Sequence, residues 1–320
     1  MDNLEKQLLL DALKKEIPEF SFEFQNFTLQ NDQTAEIVFI DFGEAKKAPL
    51  FNPTDYQGIP FDIIAAEMCY KLKLLSDTQY QIRDTLLSDT YIKDNVQLQL
   101  INTQRNKSYL KDKLHFKVNN ELSAIYYVPF NENSKERGII ANGLIQELDL
   151  DPAELTQAAI ANMTSKIELQ YLSEIADNIN AYIDEVMHGH DTSEIMDKLK
   201  NGNLDTMVVL SNHSREYGAA SVLCSDFLKN CEQDLIILPS SIHEVMLLPY
   251  TQNTSDLKQL QSIVEYVNQT TISEQDFLSD NVYLFDHKSQ QVSLACDKYG
   301  LVPICDDTLM KISEKISKFR

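Results

Sequence analysis

The amino-acid sequence predicts an α+β protein, with two mixed lobes joined by an acidic helical segment. Apolar residues recur with a period of two in some segments and at helical spacing in others, and these patterns predict strands and helices respectively. Apolar residues make up 43% of the 320 residues and charged residues 24%, the balance of an ordinary globular protein. The acidic residues crowd into the middle of the chain, so we expect three regions: 1–130, 131–206 and 207–320.

The N-terminal α/β lobe, residues 1–130, begins with an amphipathic helix over 2–16, where leucines recur at helical spacing. Pro60 suits the first turn of a second helix. Strands are predicted at Ser21–Leu29, Ala35–Phe42, Val96–Ile101, Leu114–Val118 and Leu122–Val128. The last two strands are joined at Asn119-Asn120, residues that favour a tight hairpin turn.

The acidic helical connector, residues 131–206, carries 15 acidic and 5 basic residues, a net charge of −10. Its first predicted helix starts at Asp151, with a proline at the next position. A longer helix is predicted over 166–187, because apolar residues at helical spacing form one face of it. The opposite face carries four carboxylates, Glu174, Asp177, Asp184 and Glu185.

The C-terminal α+β lobe, residues 207–320, again mixes strand and helix patterns. Strands are predicted at Met207–Leu210, Leu235–Leu238, Ile242–Leu248, Val282–Phe285 and Val292–Ala295. Helices are predicted from about Arg215 to Cys231 and from Ser255 to Asn268. This β-α-β-β-α-β order, with one extra strand, predicts a split-βαβ (ferredoxin-like) sandwich.

Composition excludes several classes of function. The net charge of −21 argues against direct nucleic-acid binding and against docking on anionic membranes, since both need basic patches. Only eight glycines occur, and neither G-x-G-x-x-G nor G-x-S-x-G can be written with them. The usual dinucleotide-binding loop and the nucleophile elbow are therefore excluded, and no cofactor is expected.

The sequence also predicts a cytoplasmic protein. No run of residues is apolar enough to span a membrane, and the acidic start has no signal-peptide pattern. The five cysteines contain no C-x-x-C pair, which fits free thiols in a reducing compartment. His188-Gly189-His190-Asp191 is better explained by helix caps than by metal ligation, so no metal is predicted.

Four segments resemble a bacterial family catalogued as domain of unknown function 5688. They are Val96–Tyr127, Leu210–Ala220, Leu238–Val245 and Leu278–Tyr283, and the string P-S-S-I-H-E within the third is the most specific. The resemblance runs from about residue 35 to 296. It implies one intracellular unit of the kind carried by gut Firmicutes and their mobile elements, and it supplies no activity, cofactor or catalytic residues.

The first candidate site is Ser240-Ser241-Ile242-His243. On a strand, Ser241 and His243 share one face, and a serine–histidine pair can begin nucleophilic catalysis. The sequence shows no orienting acid and no oxyanion hole for this pair. A turn with locally hydrogen-bonded serines and a half-buried histidine explains the same residues.

The second candidate site is the loop after the first C-terminal strand, with Asn212, His213 and Arg215. Backbone donors at a helix N-terminus, together with His213 and Arg215, would bind an anion. Capping of the helix by Ser214 is the alternative explanation. In the split-βαβ order this loop and Ser241 can share one end of the sheet, so the two candidates would form one small polar site.

These features support three alternatives for function. The leading hypothesis is a non-enzymatic protein-interaction module whose acidic face binds a basic protein partner, since segregated charge accelerates association. The second is a small hydrolase or ligand-binding enzyme that uses His213, Ser241 and His243. The third is an acidic nucleic-acid mimic that inhibits a DNA-binding protein, which would require carboxylates in phosphate-like rows.

Overall fold

A computed structural model shows the chain as an α+β protein with antiparallel sheets. The structure describes residues 1–41, 47–72, 88–129, 137–173, 193–201, 206–224, 228, 230–239, 241–251, 256–301 and 308–309. These residues form two compact units, Met1–Ser88 and Asp89–Arg320. The three-part division at 130 and 206 stays a prediction. None of the helices in the described ranges is long and apolar enough to cross a membrane.

The first unit packs helices against a three-stranded sheet of order β1-β2-β3. Its elements are α1 (Asn3–Glu16), β1 (Ser21–Thr28), β2 (Thr34–Asp41), β3 (Lys47–Phe51) and α2 (61–72). Asp2 caps α1 by accepting from the backbone of Leu4 and Glu5. The leucine stripe that predicted α1 is buried at Leu9 and Leu13, so the predicted helix is confirmed.

The second unit begins with a small sheet in which β6 is central. The elements are α3 (Asp89–Asn95), β4 (Gln97–Asn102), β5 (His115–Lys117), β6 (Leu122–Pro129) and β7 (Arg137–Ile139). β4 pairs with one edge of β6, while β5 and β7 pair with the other edge. The turn between β5 and β6 is held by Asn119, whose side chain accepts from the backbone of Glu121 and Leu122.

Helices and one unexpected strand follow the small sheet. They are α4 (Asn142–Glu147), α5 (Pro152–Thr164), β8 (Ile167–Tyr171) and α6 (Ser193–Lys200). Asp151 caps α5, as its sequence predicts. The predicted helix over 166–187 is wrong at its start, because β8 alternates buried Leu169 with polar Glu168 and Gln170 and pairs with β9. The rest of that predicted helix, from 174, lies outside the described residues.

The large sheet has eight strands, and its main path runs β14-β13-β12-β10-β11-β9-β8, with β15 paired to β13. The remaining elements are β9 (Val208–Asn212), β10 (Leu235–Leu238), β11 (Val245–Pro249), α7 (Leu257–Thr270), β12 (Val282–Asp286), β13 (Gln291–Asp297), β14 (Gly300–Leu301) and β15 (Thr308–Leu309). The ferredoxin-like order is not confirmed. β9 and β10 both lie antiparallel to β11, which separates them, so they run parallel to each other.

The helix predicted from Arg215 to Cys231 is wrong over its first nine residues. Arg215 and Tyr217 have left-handed backbone, with φ of 56° and 60°, and a 3-10 helix occupies Gly218–Leu223. A helix cannot pass through two such residues. The side chains of this segment make tertiary contacts, described below, that hold the backbone out of the helical region.

One apolar core lies between the two sheets of the second unit. It combines residues of the small sheet, α5 and the large sheet, Leu98, Tyr126, Leu155, Leu169, Leu210, Val245 and Tyr283 among them. A second cluster, including Ile236, Leu257 and Val264, packs α7 against the opposite face of the large sheet. Polar residues that alternate with core residues on β8 therefore lie outside the shared core, where they can build a site.

Candidate functional site

The two candidate segments lie side by side at the end of β9. We call residues His213–Tyr217 the β9 loop. Gly218, which follows this loop, packs so tightly that an added Cβ atom would lie 2.7 Å from His243 O. Ser211, the next-to-last residue of β9, donates its hydroxyl hydrogen to the same carbonyl oxygen at 2.8 Å. The structure therefore brings together the two loops that the sequence singled out separately.

A buried carboxylate orients His213. Nδ1 of His213 lies 2.7 Å from Oε1 of Glu168 on β8, the strand that pairs with β9. The side chain of Glu168 is 7% exposed, whereas that of His213 is 55% exposed. The imidazole thus lies against a buried carboxylate, while more than half of the His213 side chain is open to solvent.

Arg215 supports Glu168 from the side opposite to His213. Its Nη2 lies 3.5 Å from Oε2 of Glu168 and also donates to Oε1 of Gln170, the next outward-facing residue of β8. The guanidinium offsets the negative charge of a carboxylate that has little contact with water. The left-handed backbone at Arg215 is therefore maintained by contacts that position Glu168, and through it His213.

His243 has a different role, because both of its ring nitrogens are occupied. Nδ1 accepts from the backbone N–H of Tyr217 at 3.2 Å, and Nε2 donates to Oδ1 of Asp276 at 3.2 Å. Its ring also stacks on the ring of Tyr217, with centroids 5.4 Å apart. Oε2 of Glu216 lies 3.5 Å from Nδ1. His243 therefore fixes the β9 loop in place and has no lone pair available for a substrate.

The other sequence-predicted residues hold the loops together. Ser241 Oγ accepts from the backbone N–H of His243 at 3.1 Å, so its hydrogen bond is with the backbone and not with the imidazole. Asn212 donates its side-chain N–H to the carbonyl oxygen of Glu216 at 2.9 Å and accepts from Ser214 Oγ at 3.1 Å. Ser240 lies outside the described residues.

Several residues of the site were not predicted from the sequence. Glu168 and Gln170 would have been found by reading 167–171 as a strand with a period of two. Asp276 reaches His243 because Ser241 and Phe277 form an isolated antiparallel bridge. Such long-range contacts leave no local pattern in the sequence.

The acidic-face residues Glu174, Asp177, Asp184 and Glu185 lie outside the described residues, as does His188-Gly189-His190-Asp191. In the part of the chain that the structure describes, no group of three His, Cys, Asp or Glu side chains is arranged to hold a metal ion. A cavity of about 250 Å³ lies elsewhere, in the first unit beside α1 and α2, lined by Leu9, Tyr56 and Phe61 among others. It contains none of the residues of the β9 loop.

The chain was compared with protein families, curated proteins and solved structures. Residues 6–287 match the Family of unknown function (DUF5688), a range that includes every residue of the β9 loop and its contacts. Neither the curated proteins nor the solved structures gave a match. Because the match covers most of the sequence, the chain belongs to the Family of unknown function (DUF5688).

Proposed function

We propose that this protein is a hydrolase in which His213 acts as a general base on a small polar substrate. One observation carries the proposal: the buried carboxylate of Glu168 lies 2.7 Å from Nδ1 of His213, whose side chain is 55% exposed. A carboxylate on one imidazole nitrogen fixes the tautomer and stabilises the imidazolium that forms during proton transfer.

The proposed reaction uses the exposed nitrogen directly. Nε2 of His213 accepts a proton from water while the water oxygen attacks an ester carbonyl. The proton then passes to the departing alkoxide, so that one ester and one water give a carboxylic acid and an alcohol. Arg215 contributes by positioning Glu168 and does not need to touch the substrate.

A second carboxylate–histidine pair supplies a matched control. Nδ1 of His287, a residue in the turn after β12, lies 2.7 Å from Oδ1 of Asp234. Asp234 also accepts from the backbone N–H of His287, and its side chain is 33% exposed, so this pair is a solvent-screened turn contact. Its nitrogen–oxygen distance is the same as in the pair at His213, but its carboxylate is not buried.

Hydrolysis of p-nitrophenyl acetate tests the proposal. General-base catalysis contributes about 10²–10⁴-fold, so His213→Gln should lose at least about 100-fold in rate. Glu168→Gln should also lower the rate, by up to about 10⁴-fold, the effect of replacing the carboxylate behind a general-base histidine by an amide. His287→Gln should keep the wild-type rate. Equal rates in the wild type and in His213→Gln would contradict the proposal, provided that the circular dichroism spectra show the same fold.

Binding to a basic protein partner is a second proposal, and the net charge of −21 supports it. Capture of a partner at low salt that is lost as ionic strength rises would support an acidic binding surface. A captured DNA-binding protein would instead favour the nucleic-acid mimic. Retention at both salt concentrations would argue against either charge-based model.

We also propose a bacterial cytoplasmic location. The free, buried thiols of Cys69, Cys224, Cys231 and Cys296 support it, since free thiols persist in a reducing compartment. The resemblance to a family carried by mobile elements supports an origin in such an element. Fractionation of the native host, with detection of the chain in the cytosolic fraction, tests the location.

A further inference from the structure

We propose that Arg137 binds an oxyanion, the carboxylate or phosphate group of a ligand, beside the β9 loop. Arg137 is the first residue of β7 and lies next to β6. Its guanidinium carbon is 3.2 Å from the ring centroid of Tyr217 and 4.9 Å from that of Tyr127. This site is distinct from the pair at His213 and does not depend on hydrolysis.

Aromatic rings cover the faces of the Arg137 guanidinium, whereas its edge, which carries the N–H groups, lacks a hydrogen-bond partner at Nη1 among the described residues. The rings of Tyr217 and Tyr127 have centroids 5.6 Å apart and are inclined by 67°, so they contact the guanidinium from two directions. Stacking uses the face of a guanidinium and leaves its N–H groups, which lie in the plane, for hydrogen bonds. Nη1 is shielded from solvent and, among the described residues, has no hydrogen-bond partner.

Charge around Arg137 is also incompletely balanced. Among the described residues Arg137 forms no ion pair with a carboxylate, and Glu216 acts on its guanidinium only through its charge. Burial lowers the pKa of Arg137, which shows that its charged form is held at a cost in this position. An oxyanion would supply both the missing acceptor and the missing negative charge.

The planar fork of arginine selects the chemistry of the ligand. Two parallel N–H groups match two oxygens of a carboxylate or phosphate, a geometry that a neutral or cationic group does not offer. Because Nη1 is shielded, the oxyanion reaches it when the ring of Tyr217 moves aside.

Arg105 stacks on an aromatic ring as Arg137 does, but it also has a carboxylate partner. Its guanidinium carbon lies 3.6 Å from the ring centroid of Phe277, a stacking contact comparable to that of Arg137. Its Nη1 lies 3.1 Å from Oε2 of Glu274. The two arginines therefore differ in the carboxylate, and Arg105 serves as the matched control.

Titration of the full chain with inorganic phosphate and, separately, with succinate tests the proposal, followed by NMR of the arginine Nε–H signals. We expect one of the two anions to shift the Arg137 signal saturably, and its identity shows whether the ligand group is a phosphate or a carboxylate. Arg137→Gln should abolish this binding and Arg137→Lys should weaken it at least about 10-fold, because lysine lacks the planar fork. Arg105→Gln should bind as the wild type does.

The result distinguishes this site from the proposed hydrolase. His213→Gln should bind the anion normally, so a failure of hydrolysis leaves the anion site standing. If Arg137→Gln does not fold, the proposal is tested by the Arg137 signal of the wild type and by the affinity of the Arg137→Lys variant for the anion. No saturable shift of Arg137 with either anion, or equal binding by Arg137→Lys and the wild type, overturns the inference.

Discussion

The packing of Gly218 predicts a large loss of stability on adding a single methyl group. A Cβ atom at this position would lie 2.3 Å from Ser211 Oγ and 2.7 Å from both Asn212 N and His243 O. Two of these three atoms belong to the backbone, so they cannot rotate away. In Gly218→Ala, the end of β9 and the segment before β11 would have to move apart.

The size of this effect follows from two contributions. Overpacking by one methyl group costs about 1–3 kcal/mol. The hydrogen bond from Ser211 Oγ to His243 O, 2.8 Å long, would be disrupted as well, at about 1 kcal/mol. We therefore expect Gly218→Ala to lower the free energy of unfolding of the second unit by about 2–4 kcal/mol.

Urea denaturation followed by circular dichroism measures this loss, with Gly143→Ala as the matched control. Gly143 lies in α4, and a Cβ atom there would meet nothing within 4 Å. Alanine also favours a helix by up to about 1 kcal/mol over glycine, so the control should be as stable as the wild type or slightly more stable. Unfolding of Gly218→Ala at the wild-type urea midpoint would refute the packing argument.

Two further predictions concern caps and buried charge. Asp151→Ala removes the oxygen that accepts from Ala153 N–H at 2.8 Å, so the free energy of unfolding in urea should fall by about 1 kcal/mol; an unchanged midpoint would contradict this. Burial raises the pKa of Glu121 above its ordinary value of 4.5. The folded chain then binds the proton more tightly than the unfolded chain, so the contribution of Glu121 to stability falls as pH rises from 4.5 through the raised pKa. Compared with the wild type, Glu121→Gln should therefore gain relative stability over that interval, and a difference in unfolding free energy that is constant with pH would count against the raised pKa.

Local patterns in the sequence predicted the elements whose partners are near in the chain. The leucine spacing of α1, the strand pattern of β4 and the Asn119 turn between β5 and β6 each depend on residues within a few positions of one another, although β4 is buried on both faces and not half-buried as its alternation predicts. Asp151 also marked the start of α5 correctly. In each case the local preference and the tertiary packing point to the same structure, so reading the local preference was sufficient.

Errors arose where a local preference was overruled by distant contacts. Residues 167–171 fall inside the window predicted as a helix, yet pairing with β9 makes them a strand and turns Glu168 toward His213. The segment after Arg215 has good helix formers, but contacts of Arg215 with β8 and of Tyr217 with His243 require left-handed backbone. The surroundings of Arg137 left no local pattern in the sequence at all, because one tyrosine partner lies on β6 and the other in the β9 loop.

The pairing of carboxylates also bears on how the acidic composition should be interpreted. The range 131–206 has 15 acidic residues, and among those that the structure describes, three have cationic partners: Glu154 with Lys93, Glu168 with Arg215, and Glu194 with Lys198. Two of these cations, Lys93 and Arg215, come from outside that range, so the charge of the segment is partly balanced from both sides. Glu168 is moreover buried, with its carboxylate 2.7 Å from the His213 imidazole, so it is not presented on the surface to a partner. A count of acidic residues therefore overstates the charge available for docking, and in this protein one of the counted carboxylates belongs to the site that the proposed hydrolase requires.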